Sequence, residues 1–199
     1  MRVATLRQAR WHTHVGGVGA PVAMRDWLTA GGSLTAHLTA HSELFRVQRL
    51  HQRTARCLSD EARVIGMQRP GRVLEREVLL RCDGVAVVFA HTVVPMSATA
   101  ADWPLFNALG ERSLGSTLFY DPRVERGELE FARIRAGHPL MQRARAALAD
   151  AGAGIDTVLY ARRCLYRRHR GTLLVTEVFL PAVLELAGRT PTPTPNNTK

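Results

Sequence analysis

A chain of 199 residues with 46% apolar and 22% charged content can bury one sizeable core, and is neither fibrous nor natively unfolded. Its formal net charge of +10 is carried almost wholly by arginine, Lys199 being the only lysine. The arginines are scattered rather than gathered into an arm, which argues against a nucleic-acid partner and leaves anionic small molecules as natural ligands.

Arg25 to Ala30 and Ser33 to Ser42 read as two short helices broken at Gly31-Gly32, with Ser33 as N-cap of the second. Phe45 to Leu50 alternates apolar and polar residues, as a half-buried strand does. Val73 to Arg81 and Val85 to Val94 are strand-like runs joined through Asp83-Gly84, a strong hairpin signal. Ala101 to Leu109 predicts a short helix ending at Gly110, with Pro104 tolerated in its first turn. Leu114 to Tyr120 and Glu128 to Arg135 read as strands, and Asp121-Pro122 opens the turn between them. Pro139 to Ala151 is a helix closed by Gly152. Thr157 to Tyr166 and Thr172 to Leu180 form a second hairpin around the basic turn Arg167 to Arg170, and Pro181 ends it. The sum is one α+β domain over residues 1–186, an antiparallel sheet with short helices on one side. The Thr-Pro-rich tail, residues 187–199, has almost nothing to bury and is expected to be disordered.

Cys57, Cys82 and Cys164 are too few and too spread for a disulfide framework or a zinc site, and read as reduced thiols of a cytoplasmic protein. The first 25 residues are basic and lack acidic groups, but Val15 to Met24 is glycine-rich and makes a poor signal core. No run approaches the roughly 18 apolar residues of a membrane helix, so no stable membrane association is expected. His37 and His41 share a helix face without the glutamate of a zinc protease, and no metal is expected there. Gly16-Gly17-Val18-Gly19 follows no strand and reads as a connector, and Cys164 has no evident activating partner.

Alternation singles out two charges. Leu74, Arg76, Val78 and Leu80 share one strand face, and Leu173, Val175, Glu177 and Phe179 share another. Arg76 and Glu177 interrupt these apolar rows, and a charge on the core side costs several kcal/mol unless it is partnered. Two readings fit. Either Arg76 and Glu177 form a structural ion pair, or they face a pocket in which arginine clamps a ligand carboxylate and glutamate meets a hydroxyl or moves a proton.

A series of short motifs begins with Asp26-Trp27-Leu28, Ser33-Leu34-Thr35, Arg76-Glu77-Val78-Leu79-Leu80 and Asp83-Gly84. Ala90-His91-Thr92-Val93-Val94-Pro95, Leu109-Gly110, Ser113-Leu114-Gly115 and Leu118-Phe119 follow. Arg162-Arg163 and Thr176-Glu177-Val178-Phe179-Leu180-Pro181 complete the set. In order and spacing, from Asp26 to Pro181, this set resembles the chorismate pyruvate-lyases of ubiquinone biosynthesis. It implies a monomer without metal or cofactor, whose buried site lies under helical flaps. By resemblance Arg76 binds the ring carboxylate of chorismate, Leu114 offers its backbone N–H to the same group, and Glu177 meets the ring hydroxyl. Leu34 stands where a familiar member has methionine and is expected to line the pocket. His91 replaces an arginine, which leaves the second carboxylate of chorismate to Arg162 or Arg163. Tyr160 and Cys164 stand where Trp and Ser are more usual.

The implied reaction eliminates pyruvate from chorismate and leaves 4-hydroxybenzoate. It asks for orientation and for stabilisation of the departing enolpyruvate, and the ring proton leaves either through a residue such as Glu177 or to the enol carbon itself. If Glu177 acts as a protonated acid, its apolar row shifts its pKa in the required direction. The same fold serves as a non-catalytic effector-sensing domain in a class of bacterial repressors. Those domains follow a winged-helix domain, whereas the residues before Phe45 read here as flap helices.

Overall fold

The computed structural model describes residues 8–99, 101–118, 121–149 and 157–186. The expected disordered tail, Phe119-Tyr120 and the end of the helix at Ala151 lie outside the described residues. Seven strands form one antiparallel sheet: β1 (Trp11–His12), β2 (Phe45–Arg56), β3 (Arg72–Cys82), β4 (Val85–Pro95), β5 (Val124–Arg135), β6 (Val158–Arg168) and β7 (Gly171–Phe179). Their spatial order is β1-β5-β6-β7-β4-β3-β2, with every neighbouring pair antiparallel. β4 is buried at every position after Val85, as a strand covered on both faces must be. Asp83 and Gly84 turn the β3–β4 hairpin with φ of 51° and 83°, the positive-φ turn whose twist matches that of its strands.

Helices cover both faces of the sheet, the flap helices over one and a longer helix on the other. On the first face α1 (Val22–Thr29) and α2 (Leu34–Ala40) bury Trp27, Leu28, Leu34 and Leu38 against Val78, Leu80, Val88 and Ala90. On the second, α4 (Pro139–Leu148) lays Leu140, Met141 and Ala144 onto Leu79, Phe89 and Val178. Glu75 and Glu77 make the second face look solvated in the sequence; it is buried because those charges are paired. The expected strand from Leu114 is instead a single helical turn, α3 (Leu114–Leu118). There tertiary packing overrides strand propensity: Gly115 lies so close to α2 that a Cβ on it would meet Ser33 Oγ at 3.0 Å. The expected helix from Ala101 is a 3-10 segment, Pro104–Ala108. His37 and His41 pack their rings edge-on against Trp27, with centroids 4.6 and 5.4 Å away, and serve the α1–α2 contact.

The second face holds a buried charge cluster. His91 is fully buried between Glu61, 2.9 Å from its Nε2, and Glu77, 3.0 Å from its Nδ1. Arg143 of α4 donates to Glu77 at 2.6 Å and Glu75 at 2.7 Å, and His51 reaches Glu75 at 2.9 Å. Burial opposes the charge of His91, but Glu61 and Glu77 outweigh it and push its pKa up to about 10. Burial likewise opposes ionisation of Glu77, yet His91 and Arg143 hold it down at about 2. The raised histidine stabilises the fold fully below its ordinary value of 6.5, and that contribution is lost as pH rises towards 10. The depressed glutamate contributes above 4.5 and is lost as pH falls towards 2. Denaturant unfolding across pH should therefore show the full stabilisation from both groups between these ordinary values, with decline on either side. His91→Gln should cost about 3 kcal/mol on that plateau and flatten the alkaline limb; an unchanged limb would mean that His91 is not the charged partner.

Candidate active site

Register places the two singled-out charges on one face. Arg76 pairs across to Thr92, Thr92 to Val175 and Val175 to Cys164. One row along, Val78 pairs to Ala90, Ala90 to Glu177 and Glu177 to Arg162. Arg76 and Glu177 thus point the same way with β4 between them, their backbones roughly 10–12 Å apart. They line one cavity of about 60 Å³, whose floor is Val78, Ala90, Thr92 and Val175. Leu34, from α2, and Leu114, from α3, line it from above.

Arg76 is not in an ion pair with Glu177. It is 2% exposed, and its Nη2 donates to the carbonyls of Gly110 (3.1 Å) and Arg112 (3.0 Å) in the lid that leads into α3. Its Nε is buried without a hydrogen-bond partner among the described residues. Burial, then the charge of Arg49, pushes its pKa down to about 10, so it stays cationic at neutral pH. A desolvated guanidinium with an unmet donor, facing an apolar floor, is a site for an anion.

Glu177 meets Arg162, whose Nε lies 2.6 Å from Oε2. It faces that guanidinium rather than the wholly apolar row which the sequence suggests. Arg162 is engaged elsewhere too: its Nη1 donates to Leu28 O (3.2 Å) and Ala30 O (2.9 Å), fastening the end of α1 to the site. Of the two arginines, Arg162 lines the cavity. Arg163 lies on the opposite face, bonded to Glu130 and Asp60 O and stacked 4.1 Å over the Trp11 ring, so its expected part in the pocket is withdrawn. The physical reason is alternation along β6, which can present only one of two successive residues to the cavity. His91 also belongs to the second face, and its replacement of an arginine removes nothing from the pocket wall.

The lids are tied to the sheet and to each other. Gln52 donates to Phe106 O at 3.0 Å, and Thr35 of α2 shares a 2.5 Å hydrogen bond with Ser113 at the start of α3. Sequence reasoning missed Arg126 and Tyr166, which also line the cavity. The signal for Arg126 is a β-bulge: β5 runs opposite Tyr166 at Arg126 but opposite Cys164 at Leu129. Without the extra residue Arg126 would oppose Arg167 and face away. Gly127 permits the bulge, since a Cβ there would sit 2.9 Å from Leu165 O. At the basic hairpin tip, Arg168 is not merely solvated: it pairs with Asp121 at 2.9 Å and donates to Asp102 O.

Fold and site together define a lidded binder of a small, carboxylate-bearing molecule. The sequence profile described as chorismate lyase matches residues 5–188, and the chain belongs to that family. A probable chorismate pyruvate-lyase from Cupriavidus metallidurans is 45% identical over 181 residues, covering 90% of this chain and 84% of its own. Another from Ralstonia nicotianae is 50% identical over 157 residues, covering 79% and 80%. Among solved structures, the effector domain of PhnF from Mycobacterium smegmatis superposes with a TM-score of 0.52 at 19% identity, over 75% of this chain and 89% of that one. A GntR-family transcriptional regulator from Bacillus cereus gives 0.51 at 12% identity, over 69% and 92%. At such identities the likeness shows the fold alone.

The half-buried Thr35–Ser113 bond joins the two lids, and a neutral hydrogen bond is worth about 1 kcal/mol. Thr35→Val should therefore raise amide exchange in residues 34–40 and 113–118 about fivefold while leaving β3 and β4 unchanged. Unchanged exchange in both lids would show that the contact does not secure them.

Proposed function

We propose that this chain is a chorismate lyase, with Arg76 and Glu177 addressing opposite ends of the ring. The observation that carries this reading is the buried, incompletely satisfied guanidinium of Arg76 across an apolar floor from the Glu177 carboxylate. Chorismate has a ring carboxylate and, para to it, a hydroxyl. The first suits Arg76, aided by the backbone N–H of Leu114; the second suits Glu177, held in orientation by Arg162. Leu34 closes over the ring from the lid. One-directional anchoring of this kind supplies several kcal/mol by orientation alone.

The reaction needs no external oxidant or reductant. The C3–O bond breaks with its electron pair leaving on enolpyruvate, the hydrogen on the hydroxyl-bearing carbon departs as a proton, and the ring becomes aromatic as 4-hydroxybenzoate. Enolpyruvate then takes up a proton and becomes pyruvate. Glu177 either accepts the ring proton or fixes the hydroxyl while the enol carbon takes the proton. The Arg162 guanidinium places positive charge beside the departing group. Family membership supports chorismate as the substrate. Three free, buried cysteines support a reducing cytoplasmic setting, and we read the chain as a monomer of one domain.

A direct assay, with purified protein and chorismate, should yield 4-hydroxybenzoate and pyruvate in equal amounts. Arg76→Gln should weaken 4-hydroxybenzoate binding about 30-fold, since a charged hydrogen bond contributes about 2 kcal/mol. Arg163→Gln, on the far face, should lower the unfolding midpoint but leave KM within about twofold. Glu177→Gln with undiminished kcat would remove any proton-transfer role, whereas a fall of about 100-fold with retained product affinity would establish one. Tight binding of 4-hydroxybenzoate without any turnover would overturn the lyase reading in favour of a ligand sensor.

A further inference from the structure

We infer that Arg126, at the mouth of the cavity, receives the second carboxylate of the substrate, the one on the departing enolpyruvyl arm. This rests on the lyase reading and deepens it. The first argument is charge. The cavity is lined by three guanidinium groups, Arg76, Arg126 and Arg162, and one carboxylate, Glu177, a formal charge of +2. Chorismate is a dianion, and only the arginine triad with Glu177 balances it. Arg162 is buried against Glu177 and the carbonyls of Leu28 and Ala30, and Arg76 is assigned to the ring carboxylate. Arg126, which also contacts Cys164, by contrast keeps its side chain exposed to an incoming ligand.

The second argument is direction. With the ring laid between Arg76 and Glu177, the enolpyruvyl arm is attached to the carbon next to the hydroxyl-bearing one, at the Glu177 end. Along β6 and β7 the cavity wall continues from Glu177 in one direction. Cys164, Tyr166 and Arg126 line it, whereas Phe179 and Tyr160, next to Glu177 on the other side, do not. They form part of the packing around α1. An arm leaving the ring at this end lies over Val175 and Cys164 and terminates at Arg126. Tyr166 and Cys164 are both held neutral, principally by burial, so they add no competing anion to that path.

The third argument is the bulge. A strand that inserts one residue in order to turn an arginine towards a cavity has a built feature, dependent on Gly127 having no side chain. Arg126 itself is exposed at the rim, so the dianion meets it on entry and the enolpyruvate leaves past it.

The test uses the full chain and two ligands that do not turn over: 4-hydroxybenzoate, and 4-hydroxybenzoate carrying a carboxymethoxy group at ring position 3, which keeps the second carboxylate. Arg126→Gln should weaken the dicarboxylate about 30-fold and lower kcat/KM for chorismate at least as much, with 4-hydroxybenzoate affinity unchanged within about twofold. Arg126→Lys should recover part of the loss. Equal dicarboxylate affinity in wild type and Arg126→Gln would overturn the assignment, as would parallel loss of both ligands, which marks a structural role. Wild-type protein that binds both ligands but fails to cleave chorismate would sink the lyase reading, while the selective loss of the dicarboxylate would still establish the Arg126 contact.

Discussion

A guanidinium carried into a sheet must find acceptors for its donors, and the way Arg76 and Arg162 find theirs organises the whole first face. Both turn to main-chain carbonyls of segments that are not part of the sheet. Arg76 takes Gly110 and Arg112, leading into α3, and Arg162 takes Leu28 and Ala30, at the end of α1. The lids are therefore fastened by the same side chains that form the cavity. Desolvation supplies the reason for the arrangement: an unmet buried donor costs about 1–3 kcal/mol, more on a charged group, so each lid carbonyl lowers the cost of holding a cation ready. Nε of Arg76 is left without an acceptor among the described residues, the opening on which the proposed carboxylate contact rests.

The second face handles its charges differently, by setting them against one another. Glu61, Glu75 and Glu77 are compensated by His91, Arg143 and His51 at ion-pair distances of 2.6 to 3.0 Å. The cluster joins β3, β4 and α4 at the back of the strands that carry Arg76, and its Glu77 is the next residue along.

Both hairpins, the antiparallel sheet and the inward faces of Arg76 and Glu177 were legible in the sequence, because period-two alternation and an Asp-Gly turn are local properties. What the sequence hid depends on the third dimension. α3 was read as a strand because nothing local reveals that Gly115 abuts Ser33 and Thr35. The ion pairs that bury Glu75 and Glu77 under α4 join residues far apart in sequence and leave no local signal. The facing of Arg162 against Arg163 is decided by one residue of register, and the facing of Arg126 by a bulge that no motif announces.

That sensitivity to single-residue register separates what the fold supplies from what the chemistry needs. The structures of PhnF and its kind share the sheet at 12–19% identity, so the scaffold itself asks for no particular pocket residue. Here the floor is largely apolar, with Arg76 at one end and Glu177, held by Arg162, at the other. A reaction that aromatises its own ring asks little covalent help of the protein, so the catalytic problem reduces to holding an awkward dianion in one pose. Arginine fits that task better than lysine, because a planar fork can serve a lid carbonyl on one edge and a ligand carboxylate on another at the same time. Lysine at position 76 would keep the charge but give up that division of donors, loosening the lid and the ligand together.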